Sequence, residues 1–536
     1  MASSGDSSQD SSGDSSLDSA CDSSQDSSGD SSQNDGFTTS SSSNLINHRS
    51  LKKQKLSVTK TLDRISQLPD SLLAQILSLL PTTKDAFKTC ILSKRWRYLW
   101  ASVDNLNFTR TSYRKTSDFV SFIDYVIAHF VSSKIKRLKL DCSHLSRYKS
   151  HMSQWLSFAV EKKVEDFVYW SNSNRNGCTL PESFYTCSSL VTLHLTFYCF
   201  DSGAVIKWNS LKSIKLEYLV LSDEDIANLL SGCPALETME FDSVGGFLRV
   251  EINSLNLKRL YLKGFTFPSD GRDPTLEIVA PYLHHLEISG VHLKCRLVDV
   301  SSLVTAILTF HTHCIKDGQA LLEEDADDEE DNCRDSHQFF GILVRDYLQK
   351  LRCASELTIG NWFIEVMCML QFKGVHIPEV KCKYLTLEEL HLEKFNLFGV
   401  AGLLRAFRHV ETLNIDFATA KFNIARCNFG LRYSAKGESI DLQSWTSSFE
   451  FPNLKNVKIV ISLTYLKDHL ECCFDKLFKL SEFLLKNAKV LEKLVIISKR
   501  REWESCWASQ YLIRLAEKLL TCPRSSANSV IMVLQE

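Results

Sequence analysis

The sequence predicts an α/β solenoid, in which a small three-helix unit precedes a long curved array with a parallel sheet on one side and helices on the other. Three observations predict it. A triplet of apolar positions, apolar-x-x-apolar-x-apolar, recurs twelve times between residues 135 and 497, and its first seven copies start 21 to 29 residues apart. Stretches of helical period such as 223–234 lie between copies and stop at Gly and Pro. Ahead of the first copy, Leu68–Trp100 concentrates Leu at helical spacing and two Trp four apart, directly after a tail of Ser and Asp.

Composition supplies material for a large core, with 44% hydrophobic residues and 10% aromatics in 536 residues. No run approaches the roughly 18 consecutive apolar residues of a membrane span, and the first residues lack the charged-then-apolar layout of a signal peptide. A soluble, intracellular protein of nucleus or cytoplasm, with no membrane contact, is expected. The 18 Cys include Cys90, Cys142, Cys187 and Cys233 at apolar positions and follow no regular framework, so they read as reduced thiols. The net charge of −2 conceals an imbalance. Residues 1–47 hold eight Asp and no Lys or Arg, Glu323–Asp331 holds eight more acids, and the remaining 48 acids face all 62 bases. That basic excess is dispersed rather than clustered, which argues for solvated surface and against nucleic-acid binding.

In chain order, residues 1–60 form a polar tail and linker. Asp recurs every fourth residue from Asp6 to Asp30 among Ser, Gly and Gln. Such a segment cannot bury enough apolar area to offset a backbone ordering cost of roughly 1–2 kcal/mol per residue, so disorder is expected. Its Ser and Asp suit acid-directed kinases, and a plain solubilising tail is the simpler reading. The basic cluster His48–Lys55 reads as a nuclear signal or a linker.

Residues 61–108 carry three short helices. Leu72, Leu73, Ile76, Leu77 and Leu80 share one face of a helix that Pro69 opens and Pro81 stops. Thr82 or Thr83 caps a second helix through Ala86, Phe87, Cys90 and Ile91, and Ser93 caps a third in which Trp96 and Trp100 share a face. So small a unit holds more apolar side chain than it can cover by itself.

Residues 109–450 carry most of the repeats. The triplets fall at Ile135/Leu138/Leu140, Val164/Phe167/Tyr169, Leu190/Leu193/Leu195, Leu211/Ile214/Leu216, Leu236/Met239/Phe241, Leu257/Leu260/Leu262 and Leu283/Leu286/Ile288. They return at Ala354/Leu357/Ile359, Leu387/Leu390/Leu392, Val410/Leu413/Ile415, Leu454/Val457/Ile459 and Leu491/Leu494/Ile496. This period belongs to leucine-rich repeats. The last two positions of each triplet alternate as a short strand does, so the residue between them faces the concave side. Those residues are His194, Lys215, Glu240, Tyr261, Glu287, His391, Asn414 and Lys458, a mixed set suited to holding a protein. The acidic run near 315–336 is expected to loop out, and 420–450 to form an irregular insertion.

Motifs for catalysis are missing: the sequence has no phosphate loop, GxGxxG, GxSxG or HExxH. His311, His313, Cys314, Cys333 and His337 are ligand types that zinc accepts, yet their spacing fits no compact finger and they flank the acidic run. No cofactor, metal or catalytic group is expected.

The stretch from Leu68–Pro69 through Leu79–Leu80–Pro81–Thr82 and Asp85 to Leu92–Ser93–Lys94–Arg95–Trp96–Arg97–Tyr98–Leu99–Trp100 resembles an F-box. The segments Phe451–Leu463, Leu480–Ser498 and Cys522–Leu534 resemble the FBD module, so residues 451–536 read as an FBD-like cap. Together these features resemble the plant F-box/FBD/leucine-rich-repeat family. The resemblance implies a non-catalytic substrate receptor of a Skp-cullin-F-box ubiquitin ligase. By that implication the F-box meets a Skp-type adaptor through Leu68, Pro69, Leu72, Leu73, Ile76, Leu77, Leu80, Pro81, Leu92, Ser93, Arg95, Trp96 and Trp100. The array would hold a target protein near a charged ubiquitin carrier, raising effective concentration without contributing a reacting group. A non-ligase interaction scaffold is the alternative.

Overall fold

A computed structural model describes residues 64–535, apart from 66, 144, 146–147, 173–178, 199–200, 202, 265–274, 292–293, 312–333, 392–393, 418–448, 463–469 and 500–505. The tail, the basic cluster at 48–55, the acidic run at 323–331 and residues 420–448 fall outside the described residues.

The chain begins with α1 (Asp70–Ser78), whose amides Leu72 and Leu73 bond back to the Pro69 carbonyl. The second helix, α2 (Thr83–Lys88), is capped by Thr82, whose hydroxyl accepts the Asp85 N–H at 3.2 Å. A single 3₁₀ turn, Thr89–Ile91, follows. The third helical piece is a 3₁₀ helix, Trp96–Ser102, and Ser93 does not cap it with its side chain: the Ser93 carbonyl accepts the Trp96 N–H at 3.1 Å instead. In that tighter winding, residues four apart stand about 120° apart. Trp96 and Trp100 therefore do not share a face, contrary to the expectation from α-helical spacing.

Strands then follow one another along the chain, with helices between some of them. The strands are β1 (Asn105–Phe108), β2 (Arg137–Asp141), β3 (Asp166–Trp170), β4 (Thr192–Thr196), β5 (Ser213–Glu217), β6 (Thr238–Asp242), β7 (Arg249–Glu251), β8 (Arg259–Lys263) and β9 (Thr275–Val279). They continue as β10 (His285–Val291), β11 (Lys294–Asp299), β12 (Thr305–His311), β13 (Glu356–Gly360), β14 (Tyr384–Leu390), β15 (Thr412–Phe417), β16 (Asn456–Ser462), β17 (Lys493–Lys499) and β18 (Val530–Gln535). Fifteen of them pair in parallel in one sheet, in chain order with β7, β9 and β11 left out. Successive strands contribute to a continuous apolar row. Leu193, Ile214, Met239, Leu260, Leu286 and Ala306 stand directly opposite one another, and the row runs on through Leu357, Leu385, Leu413, Val457, Leu494 and Ile531.

Helices α3 (Thr116–His129), α4 (Lys149–Glu161), α5 (Glu182–Tyr185) and α6 (Asp223–Gly232) occur between early strands. Ser222 and Asp225 form a reciprocal capping box at the start of α6, and Ile226 and Leu229 are buried. Later returns are α7 (Arg334–Lys350), α8 (Asn361–Phe372), α9 (Lys394–Ala406), α10 (Leu470–Asn487) and α11 (Cys506–Leu520). Between α6 and α7 the expectation of a wholly helical outer side fails. There β7, β9 and β11 make a second, three-stranded parallel sheet in the order β11-β9-β7, because Val250, Leu276, Ile278, Cys295 and Leu297 are buried at alternating positions, a period no helix could use.

One repeat takes a different frame from the expected one. Leu387/Leu390/Leu392 fits the triplet, but β14 pairs Leu385 with Leu357 and Leu413, so the strand uses Cys382/Leu385/Leu387. The side chain between the last two is Thr386. His391 lies beyond the end of β14, where its N–H donates to Asn361 Oδ1 at 3.1 Å. Three further strands escape the pattern: β1 lies in the segment assigned to the helical unit, β12 has Ala306 where Leu is usual, and β18 has Asn528 at the first position. The β16, β17 and β18 strands of the C-terminal segment continue the same sheet in register.

Where α9 crosses α8, glycine sets the separation. A Cβ at Gly399 would lie 2.5 Å from the Ile364 carbonyl oxygen, a backbone atom that cannot turn aside. Gly399→Ala is expected to lower stability by about 1–3 kcal/mol through overpacking. Gly203→Ala, whose Cβ meets nothing nearer than 3.8 Å, is expected to leave the denaturation midpoint unchanged, and chemical denaturation of the two variants beside the parent checks both.

Candidate functional site

The helical unit divides its apolar residues between two directions. At about 100° per residue, Leu73 and Leu77 fall on one edge of the α1 stripe and Leu72, Ile76 and Leu79 on the other. Leu73 and Leu77 are buried, whereas Leu72 and Ile76 are 42% and 43% exposed and Leu79 is 82% exposed. Trp96 and Trp100 are also inside. Trp100 packs edge-on against Phe87 at 5.1 Å and donates its Nε1–H to the Arg97 carbonyl at 2.9 Å. Phe87 in turn meets Phe122 and Tyr125 of α3, at 5.5 and 5.8 Å.

The thirteen side chains expected to meet an adaptor are thus sorted. Leu73, Leu77, Trp96 and Trp100 do not face outward: α1 packs on the 3₁₀ helix Trp96–Ser102, and α3, which lies beyond the F-box-like stretch, covers Phe87 and Trp100. Leu68 and Leu80 are half-buried, and Pro69, Leu72, Ile76, Pro81, Leu92, Ser93 and Arg95 are exposed. Arg95 also ties the unit together internally. Its Nε donates to Asp70 Oδ1 at 2.7 Å and its Nη2 donates to the Leu68 carbonyl, fixing how the chain leads into α1. Leu79, Ile91 and Tyr98 are exposed as well and lie outside the thirteen side chains expected to meet the adaptor. For Leu79 the signal was available, since it extends the same sector as Leu72 and Ile76.

The second candidate surface is the face of the long sheet turned away from the buried row. Strands alternate half-buried and buried residues, so the half-buried ones share this open face. His194, Lys215, Glu240, Tyr261 and Glu287 occupy one register row, each opposite the next. Asn414 and Lys458 occupy the same row further on, facing each other across β15 and β16, with Thr386 in place of His391.

The charged residues on β4, β5, β6 and β8 are mutually neutralised. Lys215 Nζ lies 2.7 Å from Glu217 and 3.3 Å from Glu240, and Lys263 Nζ lies 3.0 Å from Glu240. His194 Nε2 stands 3.3 Å from Glu217, which also accepts from the Thr196 hydroxyl at 3.2 Å. Burial pushes the Glu217 carboxyl up, but the hydrogen bond from Lys215 and the charges of His194 and Lys215 outweigh it and hold the group below the usual carboxylate value. At Glu388 nothing offsets burial, and Asp416, Glu389 and Glu287 add to it, so its pKa is raised.

Along one rim of this face, the residues that follow β4, β5, β6 and β8 adopt a left-handed backbone, Phe197, Tyr218, Ser243 and Gly264, as does Gly290 near the end of β10. Each turn is tied to the next strand, as in the Tyr218 N–H bond to the Asp242 carbonyl at 2.9 Å. The first two positions carry aromatic rings in place of glycine, stacked 4.6 Å apart and 6° from parallel. No sequence signal pointed to this pair.

Among the described residues no group of three or more His, Cys, Asp or Glu could hold a metal, and no helix is long and apolar enough to cross a membrane. The side chains of His313, Cys314, Cys333 and His337 lie outside the described residues, as does that of His311.

Two family models match the chain: "F-box domain" over residues 65–108, and "FBD-associated F-box protein At5g56370, LRR repeats" over residues 152–296. Among curated proteins of Arabidopsis thaliana, the chain is 31% identical to "F-box/LRR-repeat protein At5g02910" over 447 residues, which cover 81% of this chain and 88% of that protein. It is 29% identical to "F-box/LRR-repeat protein At3g03360" over 74% of this chain and 79% of that one. It is 30% identical to "F-box/LRR-repeat protein 25" over 44% of this chain and 90% of that one.

The charge row makes a pH-dependent prediction. Because the folded Glu217 pKa is below its unfolded value, its contribution is present above the ordinary carboxylate range and lost as pH falls through the folded value. Lys215→Met is expected to raise the Glu217 pKa and cost on the order of 1 kcal/mol at pH 7, a part-exposed pair being screened by solvent. Urea unfolding at neutral and acid pH checks it, with the difference between the two proteins closing as Glu217 is protonated.

Proposed function

Since the chain belongs to the plant F-box/LRR-repeat family, we propose that it is the substrate-recognition subunit of a Skp-cullin-F-box ubiquitin ligase. Membership implies an adaptor-docking F-box, and a non-catalytic receptor role is the finer reading. The observation that carries it is the exposed sector Leu72 and Ile76 on α1 and Leu79 at its C-terminal end, accompanied by Ile91, Leu92 and Tyr98 on the 3₁₀ segments that follow. The interior of the helical unit is already filled by Leu73, Leu77, Trp96, Leu99 and Trp100, so these outer residues have no use in the fold. Burying one large aliphatic side chain is worth about 1.5–3 kcal/mol, and a few such anchors suffice for a stable docking contact.

In this reading the adaptor-facing set is Leu68, Pro69, Leu72, Ile76, Leu79, Leu92 and Tyr98. The open face of the sheet holds the target, and His194, Lys215, Glu240, Tyr261, Glu287, Thr386, Asn414 and Lys458 are the central contacts. Their register supports a continuous docking surface spanning many strands. The ligase subunits beyond the adaptor supply the reacting groups, and this chain supplies proximity between a target lysine and the charged ubiquitin carrier. Such a receptor works in nucleus or cytoplasm, where those subunits are.

The test is binding of the purified chain to a Skp-type adaptor. Leu72→Glu/Ile76→Glu, which places carboxylates on exposed positions, is expected to weaken binding at least about thirtyfold, equivalent to one hot spot of 2 kcal/mol, while leaving the circular dichroism spectrum and melting midpoint intact. A well-folded parent chain that fails to bind the adaptor would overturn the receptor reading and leave a leucine-rich interaction scaffold.

A further inference from the structure

The two ends of the long sheet are finished differently. At the β1 end, the helical unit covers the edge with specific bonds. The Asp104 N–H donates to Ser78 Oγ at 3.0 Å and the Asn107 N–H to Thr83 Oγ1 at 2.7 Å, while the Asn105 and Asn107 side-chain amides donate to the Ser78 and Pro81 carbonyls. At the other end, β18 is the last strand of the sheet among the described residues. Its sequence, Val-Ile-Met-Val-Leu-Gln, contains no charge and no proline. Natural edge strands are normally blunted by a Lys, a Pro, a bulge or a covering element. The pairing of β18 with β17 runs through six residues without a register shift.

Backbone geometry states what this edge can accept. The Val530 N–H bonds to the Glu492 carbonyl at 2.9 Å, so Val530, Met532 and Leu534 turn their peptide groups toward β17. Ile531, Val533 and Gln535 turn theirs outward, at the spacing of one more strand. Side chains add chemistry. Val530 is 54% exposed and Leu534 43%, and Met532 stands opposite half-buried Val495, so the open face is apolar here, unlike its charged middle. Lys493, directly opposite Val530, is exposed and has no ion pair among the described residues.

We infer that β18 receives an extended segment of a partner protein as a sixteenth strand, apolar on the side aligned with Met532 and carrying carboxylates near the Val530 end. A row of outward N–H and C=O groups is complemented by another extended backbone. Lys493 sets the sign of the partner: it lies about 10 Å from the position of the added strand, two inter-strand spacings, which a Lys and a Glu side chain together span. A second β18 would bring a second Lys493 beside it and no carboxylate within its strand, so charge favours the acidic partner over a second copy. The inference does not rest on the ligase reading, since it uses neither the F-box nor the middle of the open face.

The test uses the full chain and a fluorescein-labelled peptide of alternating Val and Thr with two Glu at its N-terminus. Binding is expected with slowed hydrogen exchange at the Ile531 and Val533 amides. A peptide with N-methyl groups on alternate residues, unable to complete the ladder, and a peptide with Lys in place of Glu are each expected to bind at least about tenfold more weakly. Val530→Glu, a change at an exposed side chain, is expected to weaken the acidic peptide without shifting the melting midpoint. Three outcomes would overturn the inference: no saturable binding up to about 1 mM peptide, equal binding of the N-methylated peptide, or protection of Ile531 and Val533 without peptide in a concentration-dependent dimer, which would assign the edge to a second copy.

Discussion

One row of apolar side chains runs through the protein from β4 to β18, with Leu193, Ile214, Met239, Leu260 and Leu286 directly opposite one another and Leu357, Leu385, Leu413 and Leu494 further along. A parallel ladder with a side-chain period of two allows this row only one register, since a slip of a single residue would turn every member of a strand toward the open face. Everything else is placed by that constraint. It aligns the residue after each strand into a rim, which is why Phe197 and Tyr218 stack, and it aligns His194, Lys215, Glu240, Tyr261 and Glu287 into a row across the opposite face.

The helical unit depends on the array as much as it precedes it. Trp100 and Phe87 are covered from α3, and Asn105 and Asn107 of β1 bond back to the ends of α1 and α2. With its interior thus completed, the unit is left with an outward apolar sector whose residues alternate along α1 with the buried ones. The same bonds close the first edge of the sheet, so one small unit both ends the solenoid and exposes the surface on which the proposed docking rests.

The open face is almost self-neutral in its middle. Lys215, Lys263 and His194 are already held by Glu217 and Glu240, so a partner laid across them has to replace ion pairs rather than satisfy free charges. Such a surface rewards shape and hydrogen-bond complementarity over net charge. Further along, Glu388 sits half-buried among other carboxylates, and at the far end apolar Val495, Met532 and Leu534 take over. The face therefore changes character along its length, and different parts of it suit different partner chemistries.

By itself the sequence determined the architecture, because a spacing repeated at 21 to 29 residues specifies strand, face and neighbour together, and no local competition can imitate it a dozen times. It also determined α1, α2 and α6, whose Thr82 and Ser222 caps and apolar periodicity act within a few residues. Tertiary structure decided what short-range patterns leave open. Two frames were available around Leu387, and only pairing of Leu385 with Leu357 and Leu413 chose between them. Apolar side chains at 72, 73, 76, 77, 96 and 100 look alike in sequence, yet the packing of α1 on the 3₁₀ helix and of Phe87 and Trp100 on α3 buried Leu73, Leu77, Trp96 and Trp100 and left Leu72 and Ile76 outside. Burial is a property of what covers a side chain, and here the covering comes from helices that meet only in the fold, α1 on the 3₁₀ helix and α3 on Phe87 and Trp100.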